Sequence, residues 1–129
     1  RYKFFKTFYF GPAMADDYYK ILNNTKIALG FLNKEVGDTY TTRSLEIPAA
    51  GALLIAEETE DHKKLFKENK EAVFFKNKNE LLEKIRYYLL NNEKRKEIAK
   101  SGRNRMKQHD LTWKSNIKKI FFELENNTN

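Results

Sequence analysis

The chain has 129 residues, enough for one domain with a single modest core. A hydrophobic share of 40% with 14% aromatic residues excludes a disordered chain, and the absence of cysteine excludes a disulfide framework and a thiolate metal site. The net charge of +7 is unevenly spread, with fourteen Lys and Arg against five Asp and Glu between Lys76 and Ile120. An anionic partner (RNA, a lipid surface or an acidic glycan) therefore competes with the plainer reading of a solvated, lysine-rich face.

Taken in order, residues 1–10 alternate imperfectly, with Tyr2, Phe4, Phe8 and Phe10 on one side, which predicts a strand from Thr7. Core packing is the expected use of these aromatics, and stacking on nucleic-acid bases beside Lys3 and Lys6 is the alternative. Gly11-Pro12 marks a turn. Asp16 is expected to cap a helix in which Tyr18, Ile21 and Leu22 share a face and which Asn23 and Asn24 end. Residues 26–31 read as a short apolar strand, and residues 32–40 as a polar loop with Gly37 as its hinge.

Thr41 or Thr42 can cap the next helix, whose apolar face holds Leu45, Pro48 and Ala49. Pro48 removes one backbone bond, so about two turns are expected, bent if continuous, with Gly51 as terminator. Residues 52–56 are uninterruptedly apolar, as a parallel strand covered on both faces would be. Ligands of open α/β sheets sit outside the carboxyl ends of strands, and the loop 32–40 is at such an end. The helix start at Thr41 and Thr42 offers free amides and partial positive charge suited to phosphate. Arg43 adds a forked donor for the same phosphate, and Glu46, one turn further in, can accept from a pair of ribose hydroxyls. The competing reading is an ordinary Arg43–Glu46 ion pair on a surface helix.

Beyond this unit, the acids of residues 57–61 precede His62, Lys63 and Lys64, the order a helix macrodipole favours. That explains the acids without a metal, and no metal site is assigned. Residues 71–75 form the last predicted strand. Asn77 or Asn79 caps a helix with Leu81, Leu82, Ile85, Tyr88 and Leu89 on one face. A second helix, 93–108, spaces Ile98, Gly102 and Met106 by four, and a third, from Thr112 or Trp113, carries Ile117, Ile120, Phe121 and Leu124. Trp113 is expected to anchor that last helix, His109 to cap or face solvent, and the tail from Glu125 to fray. No phosphate-binding glycine loop or His-Glu-x-x-His motif occurs.

The expected architecture is one α/β domain over 1–129. A Rossmann-like parallel sheet of about four strands (7–10, 26–31, 52–55, 72–75) fills residues 7–75, helices over 76–125 form a C-terminal cap, and 126–129 are a frayed tail. No apolar run can span a bilayer and no signal-peptide pattern opens the chain, so a cytoplasmic setting is expected, membrane-peripheral at most.

Residues Arg43 to Ile55, Leu65-Phe66, Glu71 to Phe75 and Asn79 to Leu89 carry a resemblance that continues through Arg95, Ile98-Ala99, Gly102-Arg103, His109 and Thr112-Trp113. In order and spacing they resemble the C-terminal half of a GT-B glycosyltransferase, more narrowly the group-1 transferases grouped with the spore-maturation CgeB proteins. The resemblance implies a nucleotide-sugar donor domain, one half of a GT-B fold. Its donor is a nucleoside-diphosphate sugar, with no further cofactor, and its acceptor a cell-surface polysaccharide or protein glycan. By position Glu46 would hold the ribose; from this chain's own residues, Thr41, Thr42 and Arg43 are expected to take the diphosphate, with the base toward Gly11 and Met14. Arg43 would also stabilise the leaving group, the one catalytic role expected on this chain. Related transferases often carry a second glutamate seven residues upstream that touches the sugar. Here that position is Thr39, beside Asp38. The acceptor site and base would belong to an N-terminal domain outside this chain, which begins at Arg1 and is expected to be a fragment that binds donor without turnover and self-associates through uncovered surface. The basic helices could meet a membrane or glycan. The rival function is a non-catalytic RNA- or anionic-surface-binding α/β module.

Overall fold

The computed structural model describes residues 11–13, 15–109 and 113–126. Along the chain run α1 (Ala15–Asn24), β1 (Ile27–Gly30), α2 (Thr42–Ala50), β2 (Leu53–Glu57), α3 (Glu60–Leu65), β3 (Val73–Phe75), α4 (Lys78–Leu90), α5 (Asn92–His109) and α6 (Trp113–Asn126). The described sheet has three strands, all parallel, in the order β1-β2-β3. The fourth expected strand, 7–10, lies outside the described residues. The fold class is α/β and Rossmann-like, with α2 and α3 as the crossover helices.

The period-two geometry of β2 divides the core. Leu54 and Ala56 face a layer built with Ile47 of α2, Leu22 of α1, Phe66 and Phe74. Leu53 and Ile55 face the opposite layer, with Val73, Phe75, Tyr88 of α4 and Ile98 and Ala99 of α5. Because β2 is central, both of its faces are buried, which is why its sequence is continuously apolar.

Helix α5 also packs along α2, and Gly102 makes that approach feasible. A Cβ at Gly102 would stand 2.3 Å from the Glu71 carbonyl oxygen and 3.4 Å from Cβ of Pro48. Pro48 neither ends nor splits α2; it is buried, and the helix continues to Ala50. The stop comes from Gly51 at φ 90°, where the amides of Gly51 and Ala52 reach back to the carbonyls of Pro48 and Ile47 at 2.9 and 3.2 Å. This six-to-one, five-to-two pairing needs a left-handed residue, which glycine adopts without strain.

Several expected faces are drawn differently. Tyr18 and Leu22 turn inward, but Ile21 is 54% exposed. Asp16 lies inside α1 rather than capping it. Helix α4 starts from Asn77, whose side chain accepts the amides of Asn79 and Glu80, and it buries Leu81, Ile85 and Tyr88 while Leu82 and Leu89 face solvent. A helix covering one layer of a sheet needs only a narrow stripe, so the outer leucines of a wide apolar arc stay outside. The stripe of α6, Ile117, Ile120, Phe121 and Leu124, is largely exposed. The expected anchoring by Trp113 falls outside the described side chains, and α6 stays helical to Asn126, past the expected point of fraying. No helix among the described residues is long and apolar enough to cross a membrane.

Candidate functional site

The carboxyl ends of β1 and β2 open onto the loop 31–41, which turns at Gly37 (φ 74°) through hydrogen bonds from Gly37 to Lys34 and from Asp38 to Asn33. Glu57, the last residue of β2, pins the near end of this loop. Its Oε1 accepts the Leu32 amide at 3.2 Å and its Oε2 lies 2.9 Å from Lys34 Nζ. Burial alone would raise the Glu57 pKa, but the bonds from Lys34 and Leu32 outweigh it and hold the carboxyl below its usual range.

The far end of the loop is tied to the start of α3. Thr59 Oγ1 donates to the Thr39 carbonyl at 2.7 Å and accepts the His62 amide at 3.0 Å, so one hydroxyl caps α3 and holds the loop. Thr39 Oγ1 donates to Asp61 Oδ2 at 2.6 Å. Lys64 first, then Thr39, keep the Asp61 pKa low. Thr39 is therefore bound to a carboxylate from another element. Asp38 instead accepts the Asn33 amide within the loop.

The start of α2 is fixed by a buried relay. Ser44 and His62 are 1% and 0% exposed, and Ser44 Oγ lies 2.8 Å from His62 Nε2. His62 Nδ1 lies 2.7 Å from the Glu57 carbonyl oxygen, which can only accept, so Nδ1 carries the proton and Nε2 accepts from the Ser44 hydroxyl. Ser44 Oγ in turn accepts the Thr41 amide at 3.2 Å. The ring stacks on Phe74, and burial lowers its pKa, keeping it neutral. With both partners sealed from solvent, this serine–histidine pair is a positioning device and not a nucleophile and base.

Glu46 lies one turn inside α2 and is half-buried. It does not pair with Arg43. Its Oε2 accepts the phenol of Tyr18 at 2.9 Å, a contact between residues 28 apart that sets the starts of α1 and α2 side by side. Burial, then the hydrogen bond and charge of Glu46, push the Tyr18 pKa up to about 12, so the phenol stays a donor. An ionised carboxylate has about four acceptor positions, so the one that Tyr18 occupies leaves room for two more donors. Arg43 is exposed and forms no ion pair with a described residue; Thr42 is exposed and Thr41 half-buried at the N-cap. Gly11 (φ 87°) is exposed in the segment leading to α1, and Met14 lies outside the described residues. The structure thus groups Thr41, Thr42, Arg43 and Glu46 on one helix start. To them it adds Tyr18, whose pairing no spacing rule could show, because the sequence marks it only as a position on an amphipathic face.

A parallel sheet with crossover helices, open at its carboxyl edge onto a helix start bearing a cation and an oriented carboxylate, defines a Rossmann-like domain. The chain matches the glycosyl transferase-like family over residues 1–121 and belongs to that family, as a group-1 glycosyltransferase domain. No curated protein and no solved structure matches the chain.

Proposed function

We propose that this domain binds the nucleoside-diphosphate sugar of a GT-B glycosyltransferase, with Glu46 accepting hydrogen bonds from the two ribose hydroxyls. The observation that carries this reading is the Tyr18–Glu46 bond, which fixes an acceptor-only group one turn inside a helix start. The amides at Thr41 and Thr42, with Arg43, take the diphosphate and stabilise the charge that develops on it as the sugar passes to the acceptor oxygen. The base lies toward Gly11 and Met14. The acceptor, a cell-surface polysaccharide or protein glycan, and the group that deprotonates it belong to a partner half of the enzyme, so this chain alone binds donor and does not turn over.

The test is chemical-shift mapping with uridine, guanosine and adenosine diphosphates. Binding of about millimolar strength, roughly 4 kcal/mol, is expected because the closing half is absent. The shifts should centre on residues 37–46. In Glu46→Gln one acceptor becomes a donor, and a charge-assisted bond of roughly 1.5–3 kcal/mol is lost, a ten- to hundred-fold drop in affinity. Gln keeps a carbonyl for the Tyr18 phenol, so the melting temperature should move little. A variant that melts earlier yet binds as before would remove Glu46 from the site. In the full-length enzyme the same substitution should cut donor hydrolysis and transfer.

A further inference from the structure

At the amino edge of the sheet, opposite the site above, a cavity of about 450 Å³ is lined, among the described residues, by the cationic side chains of Lys26, Arg95, Lys96, Lys100 and Arg103 and by no acidic one. They converge from the entry to β1 and from one face of α5, with Gly51 at the turn into β2. Arg103 lies over Gly51, where an added Cβ would stand 3.6 Å from its Cδ. Arg95 is 6% exposed and uses one guanidinium nitrogen, donating to the Tyr88 carbonyl at 3.0 Å, with no carboxylate partner among the described residues.

Cations at this edge have an ordinary explanation, since the C-termini of α1, α2 and α4 point there and helix ends carry partial negative charge. The magnitudes do not close on it. Three such ends supply about −1.5 charges together at about −0.5 each. Lys96 is paired with Glu93, which leaves four cations and an excess of about two and a half positive charges. The ends of α1 and α2 are also already satisfied without these cations. Asn24 Nδ2 and Thr25 Oγ1 cap carbonyls of α1, and the amides of Gly51 and Ala52 cap those of α2. A concave site holding a buried guanidinium with no carboxylate partner among the described residues is matched by a compact polyanion. Its volume is that of a small-molecule site, not of an extended groove.

We propose that this cleft is a second anion site, which takes a small ligand bearing two or more phosphate groups. It is separate from the donor-site reading and does not depend on it.

The test titrates the full chain with inorganic pyrophosphate at constant ionic strength and maps amide shifts. Expected are saturable shifts at residues 23–26, at Gly51 and along 95–103, and a loss of affinity of about tenfold or more in the double variant Lys100→Gln/Arg103→Gln. Both of these side chains are exposed, so the variant should fold, and Lys26→Gln, on a different element, should weaken binding independently. Shifts confined to Thr41–Glu46 would place pyrophosphate in the other site and overturn the proposal. So would shifts reproduced by sodium chloride alone, or affinity unchanged in the variants with only the melting temperature lowered. Two further arms separate the source of phosphate. Binding only to phosphatidylcholine vesicles containing phosphatidylserine, or only to single-stranded RNA with shifts spread along α4 and the outer face of α5, would replace the small ligand with a membrane or a nucleic acid.

Discussion

Tyr18 and Glu46 carry the most specific chemistry at the scale of single residues, and they can be tested against each other. If the phenol is held protonated by its surroundings, spectrophotometric titration should show one tyrosine ionising near pH 12, pushed up from 10. In Glu46→Gln that transition should move back toward the ordinary range, because the charge and the charged acceptor are gone while the burial remains. The folded state holds this proton longer than the unfolded chain. The stability it contributes is therefore complete below pH 10 and declines as pH rises from 10 toward 12. Tyr18→Phe should weaken nucleotide binding severalfold through a less fixed Glu46, and unchanged binding would make Tyr18 purely a packing residue. The sequence displayed Arg43 and Glu46 as neighbours three apart, and that adjacency suggested an ion pair that does not form. A tertiary hydroxyl is a closer partner for Glu46 than a flexible, solvated guanidinium, and nothing local in the sequence encodes a contact across 28 residues.

Among the elements, some boundaries followed from local chemistry and burial did not. Asn77 and Gly51 mark helix ends that need only nearby residues to read, whereas the outward turn of Ile21, Leu82 and Leu89 depends on which neighbours the sheet supplies. His62 belongs to this scale, because it ties α2, α3 and the end of β2 together, and its role was hidden among acids that the helix dipole already explained. Its pKa is lowered in the fold, so the unfolded chain takes up a proton near pH 6.5 that the buried ring refuses. Stability should hold above that pH and fall below it, by up to about 1.4 kcal/mol per pH unit. Urea midpoints measured between about pH 7 and 5 would show the slope, and a flat profile would contradict the neutral relay. Glu57, also lowered, loses its contribution in a more acidic range, below its ordinary 4.5. The packing of α5 on α2 is testable at Gly102. Alanine would gain up to about 1 kcal/mol of helix propensity, but the clash with the Glu71 carbonyl forces a backbone shift costing typically 1–3 kcal/mol. A net loss of stability is expected, and a more stable Gly102→Ala protein would mean that α5 can move away from the Glu71 carbonyl without penalty.

Considered as a whole, the described residues form two chemically distinct sheet edges and a helix, α6, with an exposed apolar stripe. The carboxyl edge carries the loop, the helix start and Glu46, and the amino edge carries the cationic cleft. The parallel β/α order was legible because alternating apolar strands and capped helices specify it without knowledge of contacts. What covers α6 was not. Ile117, Ile120, Phe121 and Leu124, spaced three and four apart, are 48–62% exposed, Phe122 beside them is 67% exposed, and α6 packs closely on no other described element. Contiguous apolar surface of this kind lowers its free energy by pairing with another such surface. The chain on its own should therefore self-associate, and light scattering should show the mean mass rising with concentration. Phe121→Glu in the middle of the stripe should shift that rise to higher concentration, because a charge buried between two such faces has no partner there. It should leave the melting temperature of the dilute protein close to unchanged, since the side chain is already exposed. If the parent chain stays monomeric at high concentration, or Phe121→Glu associates as readily as the parent, then α6 is not the adhesive face.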